Sequence, residues 1–245
     1  AQFQPRCLSD PMNLPTLSPL TRSLLPAVLC LFTACQTATI DPVAREAAEK
    51  RWAKELAEFE RADATRPPEP GGMLLVGSSS FRMWKNVAAA FPERRVVNRG
   101  FGGSQMHELL ALTDRLVWPY APKEILVYEG DNDLASKKEP AQIEEEFRAF
   151  ARLVHRRLPA ATIYFVAIKP SPSRVQLLEQ ARETNDRIAA YCATRSWLKF
   201  IDVFTPMLQA DGQPRPELFI ADRLHLNDAG YALWTEVIRR ELGLD

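Results

Sequence analysis

Apolar and polar positions along this chain fall into two alternating patterns. Short runs of apolar or β-branched residues occur at Met73–Gly77, Arg95–Asn98, Glu124–Glu129, Thr162–Ile168 and Lys199–Val203. They have the length of strands, and most read as continuous runs, as strands buried on both faces do. Helical spacing separates the later runs. It is clearest over 141–158, where Ile143, Phe147, Phe150, Val154 and Leu158 trace one face. Val175, Leu178, Ile188 and Cys192 predict a second stripe over 174–196, and Asn227 caps a last helix carrying Tyr231, Trp234 and Ile238. A further helix is expected from Gln105 to about Leu116. Strand–helix alternation predicts a parallel sheet covered on both faces, with right-handed connections.

The chain ahead of Met73 reads differently. Asp41 and Pro42 are good N-cap and first-turn residues, and Ala48, Trp52, Leu56 and Phe59 form one stripe on an otherwise charged helix over 41–63. That stripe predicts packing on the following domain; the alternative is a spacer. Arg66–Gly72, RPPEPGG, is a linker by composition, so residues 36–72 form an N-terminal helix and linker, and 73–245 the main domain.

Further upstream, Arg22 precedes the eleven-residue apolar run Leu24–Ala34, too short to span a bilayer comfortably but suited to a secretory signal. It runs into Leu31-Phe32-Thr33-Ala34-Cys35, which resembles the lipobox of bacterial lipoprotein signals except for Phe32. Residues 1–35 are therefore expected to act as a signal region, with Met12 as the natural start and Cys35 as the lipid attachment site. The expected location is the periplasm or cell envelope, with attachment to the membrane. An ordinary cleaved signal or a short buried helix is the alternative.

Composition narrows the function classes. The 245 residues carry no net charge, which argues against an electrostatic nucleic-acid binder. The four cysteines, at 7, 30, 35 and 192, have neither metal-site nor CxxC spacing and do not form a disulfide framework. The three histidines, His107, His155 and His225, limit the choice of a general base.

The unusual residues cluster at predicted strand ends, where open parallel sheets bind ligands. Ser78, Ser79 and Ser80 follow the first strand, either as a nucleophile or as a polar helix cap. Asn98-Arg99-Gly100-Phe101-Gly102-Gly103-Ser104 follows the second, with glycines that let backbone N–H groups face a ligand. Its spacing matches neither GxGxxG nor a P-loop. Gly130-Asp131-Asn132-Asp133 follows the third; it lacks the glycine and terminal glutamate of an EF-hand. Asp222-Arg223-Leu224-His225 precedes the last helix. An Asp and a His three apart can pair, the carboxylate fixing the imidazole tautomer. His155, near a helix end, suits terminal carbonyls instead, and His107 has only Glu108 beside it in sequence. His225 is thus the best general base.

These four blocks, in order from Met73 to about Glu241, resemble the SGNH or GDSL-type hydrolases. The resemblance implies a flavodoxin-like α/β/α sandwich, a three-layer α/β fold with five parallel strands in the order 2-1-3-4-5. It implies Ser79 as nucleophile, since Gly77-Ser78-Ser79 stands for Gly-Asp-Ser, with Asp222 and His225 completing a triad. The oxyanion hole would comprise the Ser79 and Gly103 N–H groups and the Asn132 amide, with no metal or cofactor. The departure is Ser78 in place of aspartate.

The implied activity is hydrolysis of a carboxylic ester, with small-molecule, lipid or glycan esters as substrates and a lysophospholipase-like activity among the expectations. The alternatives are a carbohydrate O-acetyl esterase or acyltransferase, and a non-catalytic envelope binding protein on the same fold. Arg82, Trp84, Phe101, Met106 and the 168–176 segment either shape the pocket or, for Trp84 and Phe101, are ordinary core. An α/β-hydrolase is less well matched, because Phe81 replaces the last glycine of G-x-S-x-G.

Overall fold

The computed structural model describes residues 39–244. The expected signal region and Cys35 lie outside the described residues. Five parallel strands form one sheet in the order β2-β1-β3-β4-β5: β1 Met73–Gly77, β2 Val96–Gly100, β3 Glu124–Tyr128, β4 Thr162–Val166 and β5 Leu198–Ile201. This is the strand order expected of a flavodoxin-like sandwich. Successive strand residues face opposite sides, and Leu74, Leu75 and Val76 are all fully buried, so helices cover both faces of the sheet.

Among the described residues ten α-helices connect or cover the strands. They are α1 Pro42–Arg51, α2 Ala53–Thr65, α3 Ser79–Arg82, α4 Val87–Ala90, α5 Met106–Ala111, α6 Thr113–Leu116, α7 Asp131–Ala135, α8 Pro140–Arg157, α9 Leu178–Cys192 and α10 Asp228–Glu241. The α8 stripe behaves as its spacing predicts: Ile143, Phe147, Phe150 and Val154 are fully buried, and Leu158 packs against the same core. On α9 the stripe begins at Leu178. Pro172 starts a 3-10 turn over 172–177 that leaves Val175 exposed, outside the core face expected for it.

The expected helix over 41–63 is two helices that break at Trp52. Asp41 caps the first through a bond from the Val43 N–H, and Ala48, Trp52 and Leu56 are buried in the same core as the sheet. Similarly, the helix expected from Gln105 breaks at Leu112 into α5 and α6. Among the described residues no helix is long and apolar enough to cross a membrane.

Candidate active site

The serine turn is made possible by Gly77. Its φ of +130° is rarely open to other residues, and a Cβ there would lie 2.1 Å from the Tyr128 carbonyl oxygen. The chain can therefore stay tight against β3, with the Ser78 N–H donating to that carbonyl at 2.9 Å. It then starts α3 at Ser79. Phe81 and Trp84 from this turn pack on Trp234, and Tyr231 stacks on Trp84, so α10 docks directly against the turn. The Tyr231 hydroxyl donates to the Ser80 carbonyl at 2.8 Å.

That docking carries the 222–225 loop with it. His225 Nε2 lies 3.0 Å from Ser79 Oγ, and His225 Nδ1 lies 2.6 Å from Asp222 Oδ2. Asp222 Oδ1 accepts the backbone N–H groups of Leu224 and His225, each at 2.9 Å. Desolvation pushes the Asp222 carboxyl up, but the His225 N–H, its ring and the Leu224 N–H outweigh that and hold it at about 2. The carboxylate is therefore ionised and fixed, and the side chains at 79, 222 and 225 form a hydrogen-bonded chain.

On the other side of Ser79, Gly103 and Asn132 converge on a residue that spacing alone did not single out. Asn132 Nδ2 donates to Ser78 Oγ at 2.6 Å and to the Ser104 carbonyl at 3.0 Å, and the Gly103 N–H donates to the same Ser78 hydroxyl at 3.4 Å. Gly103 has φ +97°, which turns its N–H toward this point. Ser78 thus does more than replace an aspartate: its oxygen collects two of the three expected oxyanion donors. The only sequence signal was that it stands where the resembled family has a hydrogen-bonding residue.

Arg174 settles the orientation of the Asn132 amide. Its Nη2 donates to Asn132 Oδ1 at 3.1 Å, so the amide nitrogen must face Ser78. Arg174 Nη1 donates to the Asp131 carbonyl and carboxylate, and buried Lys169 pairs with the other Asp131 oxygen at 2.6 Å. Burial pushes the Asp131 carboxyl up, yet Lys169 and Arg174 hold it below the usual range. The 168–176 segment therefore borders the site through Arg174. Trp84, Phe101 and Met106, by contrast, are buried in the core.

The other two histidines serve elsewhere. His155 stacks flat on Trp197, ring centroids 3.9 Å apart, instead of meeting helix-end carbonyls. His107 has more acidic neighbours than its sequence context indicates: its ring, Asp133 and Glu146 offer ligand atoms within 4.8 Å of one another. The Lys138 ammonium sits among them, at 3.0, 2.7 and 2.7 Å, and supplies the positive charge of that cluster.

Comparison with known proteins places this geometry in context. No curated protein matches the sequence. Among solved structures, the fold resembles a protein from Streptococcus pneumoniae named for platelet activating factor, at 22% identity and TM-score 0.70, covering 82% of this chain and 96% of that one. A GDSL-like lipase from Bacteroides thetaiotaomicron matches at 18% identity and TM-score 0.63, over 79% and 96% of the two chains. A catalytic mutant of an acetylxylan esterase from Geobacillus stearothermophilus matches at 18% identity and TM-score 0.59, over 72% and 96%. Residues 71–233 match the model of the GDSL-like Lipase/Acylhydrolase family. The chain therefore belongs to that family, and it is a hydrolase acting on esters.

Proposed function

We propose that the protein cleaves a carboxylic ester through an acyl-enzyme on Ser79. The observation that carries this reading is the 3.0 Å approach of His225 Nε2 to Ser79 Oγ, with Asp222 held on the far ring nitrogen. His225 takes the Ser79 proton as Oγ attacks the ester carbonyl carbon, and Asp222 stabilises the imidazolium that forms. The oxyanion is held by the N–H groups of Ser79 and Gly103 and the Asn132 amide. One such donor is typically worth ~3 kcal/mol in the transition state. His225 then gives the proton to the departing alcohol. A water, deprotonated by the same ring, attacks the acyl carbonyl and releases the acid, restoring the Ser79 hydroxyl.

For the substrate, we favour a short acyl group such as an acetyl ester over a long-chain lipid ester. The large side chains near the serine turn, Trp84, Phe101 and Met106, are buried in the core, which leaves little apolar surface there for a long acyl chain. The acetylxylan esterase resemblance is compatible with this reading. Ester turnover by the full chain, compared with Ser79→Ala, tests the mechanism. Turnover should vanish while the circular dichroism spectrum stays the same, and near-normal turnover in the variant would refute the assignment. A series of p-nitrophenyl esters tests chain length: acetate should outpace laurate, and the reverse order would restore the lysophospholipase reading. An exported protein tethered through Cys35 belongs to the same proposal. Cys35→Ala should abolish palmitate labelling in cells, and a wild-type protein that takes up no label would remove the tether.

A further inference from the structure

We infer that the N-terminal helices α1 and α2 hold the oxyanion-side loop of the active site, with Trp52 and Arg51 as positioning residues that act through Glu108. This rests on the reading that Gly103 and Asn132 bind the oxyanion. Both helices precede the segment matched to the family, residues 71–233.

The loop in question, residues 101–105, carries the Gly103 N–H and the Ser104 carbonyl that steadies Asn132. From below it is anchored by the Phe101 N–H on the Gly77 carbonyl at 2.7 Å and by the Ser104 hydroxyl on Glu129 at 2.5 Å. From above it is anchored by the N-terminal helices. The break between α1 and α2 falls at Trp52, whose buried ring meets Phe101 edge-to-face with centroids 5.1 Å apart. The far edge of the indole lies 3.8 Å from where a Cβ on Gly103 would stand.

A buried carboxylate completes the link. Glu108 is 3% exposed, and a charge in that setting is costly unless several donors satisfy it. Its Oε1 accepts from the Trp52 indole N–H at 3.0 Å and from Arg51 Nη1 at 2.8 Å, while Oε2 accepts the Gln105 N–H at 3.0 Å. Gln105 is the residue after Ser104, so Glu108 fixes one end of the loop and the N-terminal helices fix Glu108. Arg51 Nη2 also reaches the Gly103 carbonyl at 3.4 Å. Among the described residues neither Trp52 nor Arg51 hydrogen-bonds to Ser79 or His225, so loosening them should move the oxyanion donors and leave the nucleophile and base in place.

The test uses the full chain with p-nitrophenyl acetate. Trp52→Phe keeps the ring and removes the indole N–H; Arg51→Ala removes a half-exposed partner and should not impede folding. Each should lower kcat about tenfold with KM within about twofold, as small misplacements of a catalytic group do. Affinity for a trifluoromethyl ketone, whose adduct carries an oxyanion, should fall in step. The double variant should lose little more than the worse single one, because both act through one carboxylate oxygen. Unchanged kcat in folded Arg51→Ala and Trp52→Phe proteins would overturn the inference. So would a fall in kcat that ketone binding does not share, since general loosening would give that pattern. If Trp52→Phe fails to fold, Arg51→Ala decides alone. A wild type without ester turnover, or an active Ser79→Ala, sinks the parent reading and this one with it. An active wild type, a dead Ser79→Ala and unimpaired helix variants sink this one alone.

Discussion

Glu129→Gln should make the protein progressively more stable, relative to wild type, as pH rises. Glu129 follows β3, is fully buried, and has one carboxyl oxygen without a hydrogen-bond partner among the described residues. Burial above all, then the nearby Asp133 carboxylate and, more weakly, Glu108, push its pKa well above the ordinary 4.5, against the opposing effects of the Ser104 hydroxyl and Lys138. The folded protein therefore holds a proton that the unfolded chain releases above about pH 4.5. Between that pH and the raised folded value, wild type loses stability at about 1.4 kcal/mol per pH unit. The glutamine keeps the shape and an acceptor for Ser104 but does not titrate, so this loss disappears.

For a domain of this size, the gap in Tm between variant and wild type should widen by about 3–6 °C per pH unit across that window. Scanning calorimetry at stepped pH values upward from pH 5 reads it. A constant offset from repacking cancels in the slope. Parallel Tm curves, or a variant that falls behind as pH rises, would refute a protonated Glu129.

Further outcomes follow from the same contacts. Asp222→Asn would present an N–H to His225 Nδ1 and favour the wrong tautomer, lowering kcat about 10⁴-fold with the fold intact; steady-state kinetics and circular dichroism check both halves. Asn132→Ala should lower kcat about 10²-fold or more, and an effect on KM alone would count against an oxyanion role. Arg174→Met frees the Asn132 amide to turn over, so kcat should fall while KM holds, with a smaller loss than in Asn132→Ala. Gly77→Ala must either move its Cβ off the Tyr128 carbonyl or strain the backbone, and urea denaturation should show a loss of about 3 kcal/mol or more.

The fold was legible because strands buried on both faces leave an unbroken apolar record. β1 occupies the predicted residues, and β2 to β5 differ from the predicted runs by at most two positions at either end. The helix breaks at Trp52 and Leu112 were invisible, because the apolar spacing runs through each of them undisturbed. In the site, Asp222, His225 and Ser79 form one hydrogen-bonded chain, while Gly103 and Asn132 donate to the hydroxyl of the neighbouring Ser78.

What surrounds them was not legible. Ser78 gains its two donors from residues 25 and 54 positions away, Glu108 is met by Trp52 across 56, and Arg174 reaches Asn132 across 42. Local spacing cannot encode such partners, since each arises from how strand ends and helices are brought together. The histidines show the same limit. His155 reads as a helix-end residue, but a tryptophan 42 positions on, Trp197, determines its surroundings by stacking on it.

The clasp from the Tyr231 hydroxyl to the Ser80 carbonyl ties the seating of the His225 loop to that of α10. If α10 loosens while the strand pairing holds, the imidazole moves off Ser79, which on the proposed mechanism is left without its base. On gentle warming, turnover should therefore fade before the far-ultraviolet signal of the sheet does.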